Sequence, residues 1–140
     1  MASEIVVTLP GNMRVDTEVG GHVIRTDQPV GSGGEDGAPS PFSLFLASIG
    51  TCAGVYVAGF CRKRELPTEG LRIRQRNHFD PDSGLLARVE LEVEVPPTFP
   101  EKYREALVRV ADQCPVKRAI QAAPAFQVRT VVVEGSAGQR

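Results

Sequence analysis

The sequence predicts an α+β domain, and three observations carry that prediction. Short alternating segments separated by glycine turns fill the first part of the chain. One apolar run, Phe42 to Phe60, then follows a Ser-Pro pair. Beyond it, two alternating charged segments form a hairpin ahead of short helical stretches. At 140 residues there is length for one well-buried core and not for two, so residues 1–140 read as a single domain.

Glu4 to Leu9, Met13 to Val19 and His22 to Thr26 are the first strands, divided by Pro10-Gly11-Asn12 and Gly20-Gly21. Asp27 to Pro39, with Gly31-Ser32-Gly33-Gly34-Glu35-Asp36-Gly37 at its centre, is expected as a long exposed loop. Ser40 can cap free N–H groups and Pro41 loses nothing at the first helical position, so a helix should start there and run to about Arg64. Its apolar residues surround the axis instead of forming one stripe, which is the pattern of a helix buried on most sides. In so small a domain, that pattern asks a second subunit to cover part of it. Arg62-Lys63-Arg64 complements the negative end of the helix dipole, and Pro67 stops any continuation.

Leu71 to Phe79 carries Arg72, Arg74 and Arg76 on one face, and Leu85 to Val95 carries Glu90, Glu92 and Glu94. Joined by Asp80-Pro81-Asp82-Ser83-Gly84, they predict an antiparallel hairpin with its charges facing across a solvated side. Helices are expected from about Pro100 to Asp112 and from Pro115 to Ala122, then a closing strand from Phe126 to Glu134 and a frayed tail from Gly135.

Sixteen Lys and Arg against seventeen Asp and Glu give a net charge of -1, without the positive excess that phosphate neutralisation needs, so nucleic acid is not an expected partner. The first ten residues lack the basic and apolar blocks of a secretory leader. The Phe42–Phe60 run is interrupted by serine, threonine and glycine, so no membrane span is expected. A cytoplasmic location follows, where three cysteines read as thiols rather than as a disulfide framework.

Cys114 precedes a proline, which pushes it out of helical geometry and places it at the N-cap of the helix opened by Pro115-Val116-Lys117-Arg118. Unpaired N–H groups and the positive dipole end there favour a thiolate, with Lys117 and Arg118 adding to the effect; the competing role is that of a small buried hydrophobe. Cys52 lies among small residues, Gly50-Thr51 before it and Ala53-Gly54 after, which suit close approach of a ligand or tight helix packing. Cys61 is on the opposite side of the same helix at about 100° per residue and reads as a structural thiol. No metal is expected, because the cysteines are widely spaced and His22 and His78 are the only histidines. Neither a Ser-His triad nor a phosphate-binding loop is present in the pattern.

Ala38-Pro39-Ser40-Pro41 opening an apolar helix, Cys52 within it, and Cys114-Pro115-Val116 opening a late helix together resemble the OsmC/Ohr family of peroxide-reducing thiol proteins, in its divergent OsmC-like branch. The resemblance implies an OsmC-like fold, with antiparallel sheets packed around a buried central helix in an intertwined homodimer. It further implies that Cys52 attacks a hydroperoxide and that Cys114 resolves the sulfenic acid as a disulfide. Its peroxidases carry a glutamate after the proline and an arginine in the preceding loop. Here Phe42 and Ser43 follow Pro41, and the Asp27–Pro39 loop has no arginine. Arg14 or Arg25 could supply the missing cation, and Glu35 or Asp36 the carboxylate.

Three functions fit these residues. The first is a thiol peroxidase for organic hydroperoxides or hydrogen peroxide, recycled by an external dithiol. The second is a non-catalytic dimer that binds an apolar small molecule. The third is a slow thiol redox sensor. None of them requires a cofactor, since the sulfur chemistry belongs to the side chains themselves.

Overall fold

The computed structural model describes residues 3–135. Three antiparallel strands come first: β1 (Val6–Gly11), β2 (Arg14–Val19) and β3 (His22–Thr26), in that spatial order. The β2–β3 register pairs Val15 with Thr26 and Val19 with His22. Gly20 and Gly21 turn this hairpin with φ of 58° and 82°, the left-handed backbone that a tight primed turn demands. β1 runs two residues further than the sequence pattern suggested, because Gly11 pairs with Arg14 across a register shift and Asn12 takes the left-handed turn position.

The Asp27–Pro39 segment is the long, mostly exposed loop expected, but it is anchored at one buried residue. Asp27 is 1% exposed, and its carboxylate accepts the Gln28 N–H at 2.7 Å and the Gly37 N–H at 3.1 Å. A short 3-10 turn at Val30–Ser32 completes the loop. Gly34 is required by close approach: a β-carbon there would stand 2.0 Å from the Gln28 carbonyl oxygen. One buried carboxylate thus orders a glycine-rich stretch whose composition alone favours disorder.

The central helix α1 (Pro41–Lys63) starts as read from the sequence, with the Ser40 hydroxyl accepting the Ser43 N–H at 3.2 Å and Pro41 in the first turn. It is long and apolar enough to cross a membrane. Instead, one side of it packs into a core: Ala53, Val57, Phe60 and Cys61 meet Phe99, Leu107 and Ala111. Each large aliphatic or aromatic side chain buried there contributes roughly 2 kcal/mol of transfer free energy. The burial is one-sided, however. Phe42 and Val55 remain exposed, so the all-round apolar character of α1 is not used up within a single chain.

Strands β4 (Arg72–Phe79) and β5 (Leu86–Glu94) form the second sheet. Their inward residues, among them Ile73, Leu91 and Val93, pack against the α1 core. The outer face is the predicted charge ladder: Arg72 and Arg74 both bond Glu94, at 2.5 and 2.9 Å, Arg76 bonds Glu92, and His78 and Arg88 share Glu90. Guanidinium groups and His78 hold Glu94 and Glu90 below the usual carboxylate range.

A 3-10 turn at Glu101–Tyr103 leads into α2 (Arg104–Ala111), so the expected Pro100–Asp112 helix begins in a tighter winding. Helix α3 (Pro115–Ala122) matches its predicted bounds, with Ala123 ending it in the left-handed conformation. The closing strand expected at Phe126–Glu134 does not form. Those residues pair with no strand and lie bare, Val128 at 96% and Val132 at 93% exposure. A strand needs a neighbouring edge to satisfy its backbone groups, and alternation in the sequence does not say whose edge that is. The tail expected from Gly135 lies, beyond that residue, outside the described residues.

Candidate active site

Two helices converge to build this site. Cys52 is held at mid-length on α1, and Cys114 stands at the N-cap of α3, turned there by Pro115 as the sequence predicts. The structure brings the two within interaction range: the Cys114 side chain favours the protonated Cys52 thiol, and the Val116 N–H in the first turn of α3 acts on Cys52 in the opposite sense. Both are free thiols, Cys114 buried and Cys52 half-buried.

The α3 N-terminus therefore serves a different sulfur from the one expected. Cys114 makes no side-chain cap bond; its backbone starts the helix, and the free amide of Val116 is offered to Cys52 instead. Lys117 and Arg118, expected to add positive charge, are engaged elsewhere. Lys117 pairs with Asp112, and the Arg118 guanidinium donates to the Gln113 carbonyl at 3.1 Å. With no cation supplied by α3, the adjoining Cys114 thiol together with burial pushes the Cys52 thiol above its ordinary value, against the opposing pull of the Val116 N–H. Cys61 is wholly buried in the core on another side of α1, where desolvation pushes its thiol up, as suits a structural role.

Arg14, Arg25 and Glu35 lie on the first sheet and its following loop. Arg14 bonds Asp16 at 2.9 Å and lends positive charge to Asp27, while Glu35 accepts from the Asn12 amide at 2.8 Å. Arg25 faces Asp16 across the β2–β3 register. These contacts form a cluster of their own around Asp27. Among the described residues, no group of His, Cys, Asp and Glu is arranged to hold a metal.

A groove of about 510 Å³ reaches Cys114 between β5 and the three helices; Ile49, Val89, Leu91, Ala111 and Ile120 give it an apolar floor, and Arg88, Asp112 and Lys117 also line it. Sequence reading missed two further residues near the site. Gln75 donates to the Leu46 carbonyl of α1 and to the Asn77 side chain, each at 2.9 Å, and its amide oxygen crosses Gly50, where a β-carbon would come within 2.4 Å. Both residues stand in the inward row of β4, where Ile73 sets an apolar expectation. That break in the alternation was the available signal.

The comparisons with known proteins agree with the fold. A protein of Psychrobacter arcticus 273-4, proposed as an osmotic stress induced and detoxification response protein, is 21% identical with a TM-score of 0.72, covering 85% of this chain and 88% of its own. An OsmC-like protein of Mycoplasma pneumoniae is 14% identical with a TM-score of 0.67, covering 88% and 89%. An organic hydroperoxide resistance protein OsmC of Legionella pneumophila is 22% identical with a TM-score of 0.54, covering 86% and 90%. No curated protein matches the chain. The family model described as OsmC-like protein matches residues 33–129, a span that contains both sulfurs and the helices that bring them together; the chain belongs to the OsmC-like protein family.

Proposed function

We propose that this chain is a thiol-dependent peroxidase that reduces organic hydroperoxides or hydrogen peroxide, with Cys52 as the nucleophile and Cys114 as the resolving thiol. The observation that carries the reading is the pairing of the two sulfurs at the α3 N-terminus. The Cys52 thiolate attacks the distal peroxide oxygen, the O–O bond breaks, and the alcohol leaves as Cys52 becomes a sulfenic acid. Cys114 then attacks the Cys52 sulfur, the disulfide forms and water departs. An external dithiol returns two electrons and restores both thiols. Val116 suits this cycle, because its N–H stabilises negative charge on Cys52 before attack and when the disulfide is reduced. The name of the Legionella pneumophila relative, an organic hydroperoxide resistance protein, supports the substrate class.

The working unit in this proposal is a cytoplasmic homodimer. The bare faces of α1 and of residues 126–133 support that assembly, as does the lack of any cation beside Cys52 from α3. In this proposal the activating cation is Arg14 or Arg25 and the carboxylate is Glu35. The raised Cys52 thiol favours a second reading, a dimer that binds an apolar ligand or senses oxidants slowly without turnover.

Stopped-flow measurement of thiol loss on adding cumene hydroperoxide to the reduced protein separates the two. Rapid loss with a Cys52–Cys114 disulfide, and a sulfenic acid trapped on Cys52 in Cys114→Ser, is the expected result. Thiols that react no faster than free cysteine would overturn the peroxidase.

A further inference from the structure

A single polar side chain fastens α1 to β4 close to Cys52. Gln75 stands in the inward row of β4 between Ile73 and Asn77. Its amide nitrogen serves two acceptors, the Leu46 carbonyl of α1 and the Asn77 side-chain oxygen, each at 2.9 Å. In a helix the Leu46 carbonyl also takes the Gly50 N–H four residues on, so Gln75 adds a second donor to a rung of the helix itself. Its amide oxygen lies against Gly50 on the same turn, where a β-carbon would come within 2.4 Å. One turn further, a β-carbon on Gly54 would meet the end of the Ile73 side chain at 3.8 Å, so β4 follows the Gly50–Gly54 side of α1.

This fastening falls where α1 has few others. Among the described residues, Ala53, Val57, Phe60 and Cys61 of α1 are buried beyond Cys52, and only Ile49 is buried before it. Cys52 follows Gly50 by two residues, which is about 3 Å along the axis and about 200° around it. β4 therefore grips one side of the turn while Cys52 leaves from the other, within range of Val116 and Cys114. A turn held at Leu46 and Gly50 cannot slide or rotate without carrying Cys52, because a helix moves as a rigid element over neighbouring turns.

We propose that Gln75 is a positioning residue for the thiol reaction: by bridging Leu46 and Gly50 it fixes the turn that carries Cys52 where disulfide closure with Cys114 requires it. The assignment deepens the peroxidase reading and rests on it for the role of the sulfur pair.

Gln75→Leu keeps a side chain of similar bulk and removes the bridge. Gly50→Ala leaves Gln75 in place but obstructs its amide, which must swing aside. Alanine is the better helix former, so Gly50→Ala should melt no lower than Gln75→Leu, and it serves alone if the latter folds poorly. Equilibration of the full-length chain with glutathione buffers of graded ratio, read by mass spectrometry, gives the Cys52–Cys114 disulfide equilibrium. In both variants its constant is expected to fall at least about tenfold, the scale on which small misplacements of reacting groups act. The double variant should lose no more than either single change, since both break one contact. Arg74→Ala, on the outer face beside Gln75, should match the wild type. Iodoacetamide alkylation of Cys52 against pH supplies a second readout on the reduced protein. Cys114 is the main cause that raises the wild-type midpoint, so both variants should move it down toward that of an ordinary thiol. An unchanged disulfide equilibrium or an unchanged midpoint in Gln75→Leu would each overturn the proposal, as would a loss that follows melting temperature and spares Gly50→Ala. No peroxide enters either measurement. A wild type that closes no Cys52–Cys114 disulfide at any ratio would sink the peroxidase reading instead, and the alkylation midpoints would then decide the role of Gln75.

Discussion

The half of the molecule built from α1, α2, β4 and β5 completes its own core, whereas the first sheet and the segment after α3 leave their apolar residues bare. Leu107 is 1% exposed and Ala53 wholly buried, while Leu9 is 78% exposed and Val133 80%. Valine content does not separate these regions, since both are rich in it. The difference lies in whether the chain itself supplies a facing surface. Single apolar residues on a surface are ordinary, but a run of them on an unpaired extended segment is the kind of surface that another chain covers.

The largest effect should come from cutting into the finished side. Leu107→Ala leaves a cavity between α1 and α2 and is expected to cost about 2–5 kcal/mol, read as a lower midpoint in urea. Val128→Asp with Val132→Asp probes the unfinished side. On a bare surface such changes shift stability by only about 0.5 kcal/mol. If a second copy covers the segment, as proposed, the pair should instead convert a dimer to monomers in sedimentation velocity. An unchanged sedimentation coefficient would break the comparison and leave that segment as mere surface.

Ser40→Ala removes the cap that joins the two regions and should lower stability by about 1 kcal/mol in thermal melts. Asp27→Asn disturbs the loop on the same boundary. The N–H groups of Gln28 and Gly37 hold the Asp27 carboxyl below its ordinary range, so its ionised form stabilises the fold at neutral pH. That contribution is fully present above the ordinary carboxylate pKa and is lost as pH falls through the lowered folded value. Wild type and variant melts should thus differ most near neutrality and converge in acid. The smallest effect belongs to Arg74→Ala, because an exposed ion pair on the outer face of β4 is screened by water; its melting temperature should stay within the scatter of surface substitutions.

Local signals were read well from the sequence. Ser40-Pro41 marked the start of α1, and Cys114-Pro115 marked the start of α3. The arginine and glutamate rows located the β4–β5 hairpin and the face it turns to solvent. Each depends on neighbours a few residues away, where backbone sterics and side-chain period are decisive. The role of Asp27 was not legible, because a carboxylate in a glycine-rich loop gives no sign that amides up to ten residues away will converge on it. The Gln75 contact with Leu46 spans 29 residues and was equally hidden, although its polar place in an apolar row could have raised the question.

By itself, then, the sequence determined most of the element types, their order, most of their ends and the two sulfurs worth watching. Only the tertiary structure decided that the Val116 N–H acts on Cys52, that Lys117 and Arg118 are spent on Asp112 and Gln113, and that Phe126–Glu134 finds no edge among the described residues. The physical reason is range. Caps, turns and alternation are set by covalent neighbours, whereas the partner of an amide, a cation or a strand edge is chosen by whatever the folded chain brings within hydrogen-bonding distance.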